Sequence, residues 1–272
     1  MKLASISFYP VKSTAGHEVA EAEVRPWGLA GDRRYLVTDE GGDVLTARAE
    51  PRLLACVARL DGGTLTLTGP HADPLPVVPG SSMSAVTIGS SAPVDVTDCG
   101  DAAAAWLTGL VGRPVRLKWL DDPARRPVDP AYGRPADRVS LADGYPLLLT
   151  TTASLARLDD WIAETALERG EERPEPLPMR RFRPNVVIDG VAEPFAEDEW
   201  KRLRIGEVEF RVAKGCDRCV LTTVDPETYT KGKEPIRTLA RHRRRDGKVW
   251  FGVNLIPDAT GRIAQGDPVI VL

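Results

Sequence analysis

The clearest structural signal in this sequence is Arg59-Leu60-Asp61-Gly62-Gly63-Thr64-Leu65-Thr66-Leu67-Thr68. Leucine and threonine alternate after two glycines, which is the pattern of a half-exposed strand entered through a tight turn. A second hairpin is predicted where residues 34–38 and 44–47 flank the glycine-bearing loop 39–43. The first half of the chain is therefore predicted to consist of short strands joined by tight turns.

The rest of the chain adds a few helices to this pattern. We predict helices at 101–110, after a threonine cap near Thr152, and at 234–245, where the helix is basic. We predict strands at 94–97, 185–188, 203–205, 208–212, 220–224, 249–256 and 268–272, an apolar run at 145–149, and loops at 69–80, 121–137 and 168–181. The predicted fold class is mainly β (α+β), with two barrel-like or sheet-like lobes. Because we interpret 121–137 as the connection, the predicted domains are 1–120 and 121–272.

Composition narrows the function classes. The net charge of −3 gives no support to nucleic-acid binding, which favours a basic domain. No run of about 18 apolar residues is present, so we predict no transmembrane helix and no membrane partner. Residues 1–13 lack the apolar core of a secretory signal, so we expect a cytoplasmic protein with reduced cysteines. The three histidines, His17, His71 and His242, are too scattered to suggest a histidine metal site.

The segment Gly215-Cys216-Asp217-Arg218-Cys219 holds the only cysteines at short spacing, and four interpretations are open. Structural zinc needs four ligands, whereas Cys56 and Cys99 are distant in sequence. A thioredoxin-like dithiol should open a helix, whereas residues 220–224 have a strand-like composition. The other two interpretations are buried thiols that act as small hydrophobes, and a single thiolate ligand to a soft metal held mainly by another group. Lys214 and Arg218 flank the pair and favour a thiolate.

Short motifs along the whole chain resemble one family. They are Tyr9-Pro10-Val11-Lys12-Ser13, Gly31-Asp32-Arg33, residues 46–52, Asp98-Cys99-Gly100, residues 143–155, Arg183-Pro184-Asn185, residues 216–226 and Gly266-Asp267-Pro268-Val269. In order and spacing they are similar to the MOSC proteins, named for the molybdenum-cofactor sulfurase C-terminal domain. The resemblance is to the form with an N-terminal MOSC β-barrel, and within it to the mitochondrial amidoxime-reducing component and its bacterial relatives. It implies an N-terminal MOSC-type β-barrel lobe and a C-terminal MOSC β-barrel, with the cofactor between them.

The resemblance also implies a molybdenum cofactor, Mo-molybdopterin, and the residues that hold it. In the family the second cysteine of the pair ligates molybdenum, which carries over to Cys219. The family's cofactor contacts fall on Lys12, Ser13, Arg33, Asp143, Arg183 and Asn185. Lysine and arginine can pair with a terminal phosphate, and serine, asparagine and aspartate can bond to a pterin edge. Asp143 is in addition a candidate catalytic group that handles protons, although each of these residues alone is typical of a turn or a solvated surface.

Two places depart from the family pattern. Asp217 stands where close relatives have a small hydroxyl residue, so a carboxylate enters the set of cofactor contacts. Gly144 and Tyr145 follow Asp143 where relatives have two small hydroxyl residues. We expect a hydrogen bond to the cofactor to be lost there, and Tyr145 to narrow the pocket.

The activity that the resemblance implies is the reduction of N-hydroxylated compounds (hydroxylamines, amidoximes and N-hydroxylated bases) to amines by a molybdenum oxidoreductase. Some bacterial relatives append a ferredoxin-like domain, but this chain stops at Leu272. We therefore expect no internal iron–sulfur cluster and no pyridoxal phosphate. Electrons should come from an external ferredoxin-like or cytochrome b5-like protein with its reductase. The alternative is a carrier of molybdenum cofactor or sulfur, in which Cys219 holds a persulfide.

A run of cations follows the cysteine pair. Its members are Arg237, Arg241, Arg243, Arg244, Arg245 and Lys248. Such a run is by default a solvated helix face. Because it follows Cys219 closely and the sequence shows no need for an internal partner, we predict that it docks an acidic electron-transfer protein.

Overall fold

A computed structural model describes residues 1–70 and 72–272. Within them the strands are β1 (Lys2–Phe8), β2 (His17–Val19), β3 (Glu21–Arg25), β4 (Gly28–Leu29), β5 (Tyr35–Asp39), β6 (Val44–Leu45), β7 (Val57–Asp61), β8 (Thr64–Gly69), β9 (Ala72–Val77), β10 (Met83–Val86), β11 (Val94–Asp98), β12 (Val115–Trp119), β13 (Leu147–Thr151), β14 (Val186–Asp189), β15 (Arg202–Ile205), β16 (Val208–Asp217), β17 (Arg244–Arg245), β18 (Lys248–Pro257), β19 (Gly261–Ala264) and β20 (Val269–Val271). The α-helices are α1 (Gly100–Val111), α2 (Thr152–Glu168) and α3 (Ile236–His242). The predicted mainly β fold with a few helices is confirmed. His71, one of the three histidines considered above, lies outside the described residues.

The chain divides into two compact units. The first unit contains residues 1–7, 18–25 and 147–272, and the second contains residues 8–17 and 26–146. The predicted division into domains 1–120 and 121–272 stays a prediction. In the part of the chain that the structure describes, no helix is long and apolar enough to cross a membrane.

The first unit is built on a large sheet in which β1, β14, β13, β18, β16, β15 and β20 are neighbours in that order. β13 and β14 run parallel, and the antiparallel partner of β13 is β18. Leu158 and Ile162 of α2 pack with Leu239, Phe182 and Phe251 in one apolar cluster, so this face of the helix points into the core of the unit. The threonine cap predicted near Thr152 is confirmed as Thr151, whose hydroxyl accepts a hydrogen bond from the Ser154 amide at 3.1 Å.

The second unit contains a five-stranded sheet in the order β10, β11, β12, β5, β6 and a three-stranded sheet in the order β7, β8, β9. Both predicted hairpins are confirmed, since β5 pairs with β6 and Asp61 of β7 faces Thr64 of β8. Gly62 and Gly63 both have positive φ angles, 53° and 85°, which a two-residue hairpin turn of this hand requires. The predicted loop at 69–80 is wrong over most of its length, because Ala72–Val77 forms β9 beside β8.

Candidate functional site

Lys12 and Asp143 form the centre of the candidate site in the second unit. Lys12 lies in a tight turn, where its amide donates to the Tyr35 carbonyl at 2.7 Å and Ser13 adopts a φ of 68°. Its side chain is 8% exposed, and Nζ donates to the Leu141 carbonyl at 3.0 Å and to the Asp143 carboxylate. The structure thus joins two predicted site residues that are 131 positions apart in sequence.

Arg126 holds the segment that carries Asp143. It is 3% exposed, and its guanidinium donates to the carbonyls of Ser140, Ala142 (2.5 Å) and Asp143 (3.0 Å). Burial lowers the pKa of Arg126 to about 10. Sequence reasoning missed this residue, because Arg126 is one of three arginines in the proline-rich segment 121–137 and no pattern there marks it as the buried one.

Arg33 and Arg48 complete a set of cations that we call the cationic cluster, namely Lys12, Arg33, Arg48 and Arg126. Arg33 adopts a φ of 46°, pairs with the buried Asp32 and lies 4.3 Å from the centre of the Tyr9 ring. Arg48 Nη2 is 3.5 Å from Asp143 Oδ2. In these contacts, Lys12 and Arg48 pair with Asp143, and Arg33 pairs with Asp32.

The charge of Lys12 is the main reason why the pKa of Asp143 lies well below its ordinary value, and Arg48 and Arg33 act in the same direction. Burial lowers the pKa of Lys12, while Asp143 opposes that shift. The Asp143 side chain is itself 70% exposed, so we attribute its low pKa to neighbouring charge. Asp143 is consequently an ionised counter-ion of Lys12, and its predicted role in handling protons stays a prediction.

Gly144 and Tyr145, the two departures beside Asp143, differ in their surroundings. A Cβ atom placed on Gly144 would meet nothing within 4 Å, so the position has room for the small hydroxyl residue of the relatives. The Tyr145 ring packs edge-on against Tyr132, with ring centres 6.2 Å apart. The predicted narrowing of a pocket by Tyr145 stays a prediction.

The cysteine segment lies in the first unit, at the end of β16. Cys216 is half-buried within the strand, whereas Cys219 follows the strand and is exposed, and both thiols are free. The strand predicted at 220–224 is wrong, because Val220–Thr223 forms a 3-10 turn. Thr222 donates to the Cys219 carbonyl from its amide (3.2 Å) and its hydroxyl (3.0 Å), and such side-chain bonds compete with strand pairing.

Two arginines cross between the cysteine segment and the 3-10 turn Met179–Phe182. Arg218 donates from Nη1 to Cys216 Sγ at 2.9 Å and from Nη2 to the Phe182 carbonyl at 2.6 Å. In the opposite direction, Arg181 donates to Asp225 at 2.9 Å and to the Thr223 carbonyl at 3.4 Å. Of the two thiols, Cys216 is therefore the one that Arg218 contacts, and the expectation that the flanking cations favour a thiolate stays a prediction.

Arg183 and Asn185 follow this turn, and Arg183 is next in sequence to Phe182, whose carbonyl accepts the bond from Arg218. Arg183 ends the turn with a φ of 56°. The Asn185 side chain is buried, and its Nδ2 donates to the Ser7 carbonyl at 3.3 Å while its Oδ1 accepts from the Leu148 amide at 3.2 Å. These bonds tie β13 to the end of β1 across β14, and a contact between Asn185 and a cofactor stays a prediction.

Asp217, the departure between the two cysteines, is paired with two lysines. Lys248 Nζ lies 3.4 Å and Lys214 Nζ 3.7 Å from its carboxylate oxygens. The same two ammonium groups lie 5.9 and 5.8 Å from the centre of the Trp250 ring. The negative charge that Asp217 introduces is thus offset locally.

The run of cations after the cysteine pair differs from its prediction in two respects. The helix is shorter than 234–245, since α3 ends at His242 and Arg244–Arg245 forms β17 against β18. The expectation that the run has no internal partner is wrong, because most of its members have carboxylate partners. The pairs are Arg237 with Glu234, Arg241 with Glu168, Arg243 and Arg245 with Asp198, and Lys248 with Asp217.

Comparison with known proteins assigns both halves of the chain. Residues 1–114 match the model of the MOSC N-terminal beta barrel domain, and residues 136–270 match that of the MOSC domain. The chain is 36% identical over 292 residues to mitochondrial amidoxime-reducing component 1 of Homo sapiens, a match that covers 99% of this chain and 82% of that protein. It is 34% identical to mitochondrial amidoxime reducing component 2 of Rattus norvegicus, over 98% of this chain and 82% of that protein. It is also 36% identical to molybdenum cofactor sulfurase of Danio rerio, over 93% of this chain and 31% of that protein.

Proposed function

The chain belongs to the MOSC family, in the form with an N-terminal MOSC β-barrel domain, and from this membership we propose that it is a molybdenum-cofactor-dependent reductase of N-hydroxylated compounds. Its relatives include amidoxime-reducing components and a molybdenum cofactor sulfurase. The observation that carries the proposal is the exposed thiol of Cys219. The preceding residue, Arg218, is hydrogen-bonded to the turn that ends at Arg183.

The residues of the chain have the donor chemistry that a molybdopterin requires. A free, exposed thiol is a suitable ligand for a soft, redox-active metal. The cationic cluster concentrates one lysine and three arginines, which are the side chains that bind a terminal phosphate. Arg126 Nε is buried without a hydrogen-bond partner among the described residues, so its donor capacity is not exhausted by the protein.

We assign the roles as follows. Cys219 would hold the metal, and the cations Lys12, Arg33 and Arg183, with Ser13, would bind the phosphate. Asp143 and Asn185 would accept and donate hydrogen bonds at the pterin edge, and Gly144, Tyr145 and Asp217 would line the same site. When bound, the cofactor would supply the two-electron chemistry that removes oxygen from an N–O bond.

The proposed reaction consumes electrons. An N-hydroxyl group, two electrons and two protons give an amine and water, so each turnover needs two electrons. We propose a ferredoxin-like or cytochrome b5-like donor with its reductase. The cytoplasmic location also stays a prediction, since the amidoxime-reducing relatives are named as mitochondrial.

The decisive experiment compares Cys219→Ser with Cys216→Ser. The full chain is purified from a host that makes molybdenum cofactor, and molybdenum is measured together with benzamidoxime reduction by an artificial one-electron donor. We expect stoichiometric molybdenum and amine formation in the original protein and in Cys216→Ser, and neither in Cys219→Ser. If Cys216 is the cysteine that both require, the assignment of the ligand is wrong.

A second candidate function is supported by the match to the sulfurase, which extends over 93% of this chain. In this case Cys219 carries sulfur as a persulfide, or the protein stores the cofactor. A loaded protein that reduces no N–O compound, yet restores activity to a cofactor-free molybdenum enzyme, would favour the carrier.

A further inference from the structure

Cys219 is not fixed by the sheet that precedes it. The pairing of β16 with β18 shifts register between Gly215 and Asp217, and the Arg218 amide makes the adjacent bond to the Val249 carbonyl at 2.8 Å. Cys219 then caps a 3-10 turn without a side-chain hydrogen bond. Its position relative to Arg183 must therefore depend on contacts made by its neighbours.

We infer that Arg218 and Arg181 are positioning residues that fix Cys219 relative to Arg183, an assignment that rests on the proposed function. We call the two side chains the arginine brace. Arg218 reaches from the cysteine segment to the turn at Phe182, and Arg181 reaches from the turn to Thr223 and Asp225. One crossing precedes Cys219 in sequence and the other follows it, so the segment is held on both sides.

The brace is anchored in the apolar core of the first unit. Phe182, which accepts the bond from Arg218, is fully buried and stacks on Phe251 with ring centres 4.0 Å apart. The Arg218 guanidinium also lies 5.5 Å from the centre of the Phe182 ring. A displacement of the cysteine segment would therefore break the contacts of Arg218 with Phe182, because Phe182 is held in place by the core.

The geometry requires arginine at position 218. Its planar group sends two N–H donors to two different acceptors, Cys216 Sγ and the Phe182 carbonyl. A lysine ammonium on a flexible stem keeps the charge but not this fork. The bond to Cys216 has a second consequence, since it engages one of the two thiols and leaves Cys219 available as the ligand.

The test uses Arg218→Gln, Arg218→Lys and Arg181→Gln, with Arg180→Gln as the matched control. Arg180 lies in the same turn, but its pair with Glu227 is exposed on both sides, at 56% and 73%. We expect the first three variants to retain roughly tenfold less molybdenum after dialysis, as loss of an outer-shell contact to a metal site does. Any remaining molybdenum should give a changed electron paramagnetic resonance signal, and Arg180→Gln should match the original protein in both measurements.

A merely structural role would lower the thermal midpoint and leave the resonance signal of the loaded fraction unchanged, and that outcome would overturn the inference. If Arg218→Gln does not fold, Arg218→Lys and Arg181→Gln provide the same measurements. If the original protein contains no molybdenum, the proposed function fails, and the brace is tested by thiol alkylation instead. Iodoacetamide should then modify Cys216 faster in Arg218→Gln than in Arg180→Gln, and equal rates would refute the brace.

Discussion

Glu197 is a carboxylic acid without exposed surface in the first unit. Its Oε2 accepts hydrogen bonds from the hydroxyls of Ser154 at 2.9 Å and Thr151 at 3.3 Å. Its Oε1 has no partner in residues 1–70 and 72–272. Burial raises the pKa of Glu197, so the folded protein keeps the neutral form to a higher pH than the unfolded chain does.

This shift predicts that the protein loses stability as the pH rises. Between the ordinary value of 4.5 and the raised pKa, the folded state keeps a proton that the unfolded state has released. Glu197→Gln, which is always neutral, should remove this dependence and stabilise the protein at about pH 8 by about 1–3 kcal/mol. Urea unfolding at about pH 5 and pH 8 measures the effect, with the exposed Glu199→Gln as control. If Glu197→Gln is less stable than the original protein at both pH values, the folded protein contains Glu197 in its charged form and the prediction is wrong.

At the same scale, the site residues differ in how far the sequence could identify them. Lys12 and Asp143 were available from the family motifs, and their ion pair agrees with membership of one site. Arg126 was not, because its function is to satisfy three carbonyl groups that come together only in the folded chain. From the sequence, Arg218 could be recognised only as a charge beside the cysteines. Its two hydrogen-bond acceptors, Cys216 Sγ and the Phe182 carbonyl, depend on the folded structure.

Among the elements, prediction succeeded where turn chemistry is local and failed where tertiary contacts decide. The glycine pair between β7 and β8 fixes its own turn. β9 was missed because Pro74 and Pro76 argue against a strand, yet β9 lies at a sheet edge, where proline is tolerated. β1 was missed because a register shift between Leu3 and Ser5 breaks the alternation that marks a strand.

The hairpin of β17 and β18 is the element on which we now place electron-donor docking. It presents the exposed cations Arg244 and Arg245, and β18 is bonded to the cysteine segment between Val249 and Arg218. We expect Arg244→Glu to slow reduction by an acidic ferredoxin several-fold at low salt. The loss should shrink at physiological salt, where the Debye length is about 8 Å.

Two controls accompany this measurement. A small neutral donor should reduce Arg244→Glu at the original rate, and Arg262→Glu should behave normally with the ferredoxin, because Arg262 is an exposed cation of the same unit that lies elsewhere in the sequence and pairs with Glu21. Equal losses with both donors would mean that the hairpin supports the fold, and the docking surface would then have to be sought elsewhere.

For the whole molecule, the proposed function assigns cofactor binding to residues that are far apart in sequence. Lys12, Arg183 and Cys219 are three of them. We expect Lys12→Ala and Arg183→Ala each to lower the molybdenum content of the purified protein, and the exposed Lys2→Ala to leave it unchanged. If only the Arg183 variant loses molybdenum, the cationic cluster does not hold the cofactor.

The discontinuity of the first unit has a consequence for translation. β1 pairs with β14, where Ile6 faces Val186, whereas every residue of the second unit has been made by position 146. The second unit is therefore synthesised in full while the edge of β1 that pairs with β14 still has open hydrogen-bonding groups, although the neighbour on its other side, β2, is already present. Until β14 emerges, the nascent chain carries an unpaired strand edge along β1, which is a surface that a chaperone of nascent polypeptides can shield.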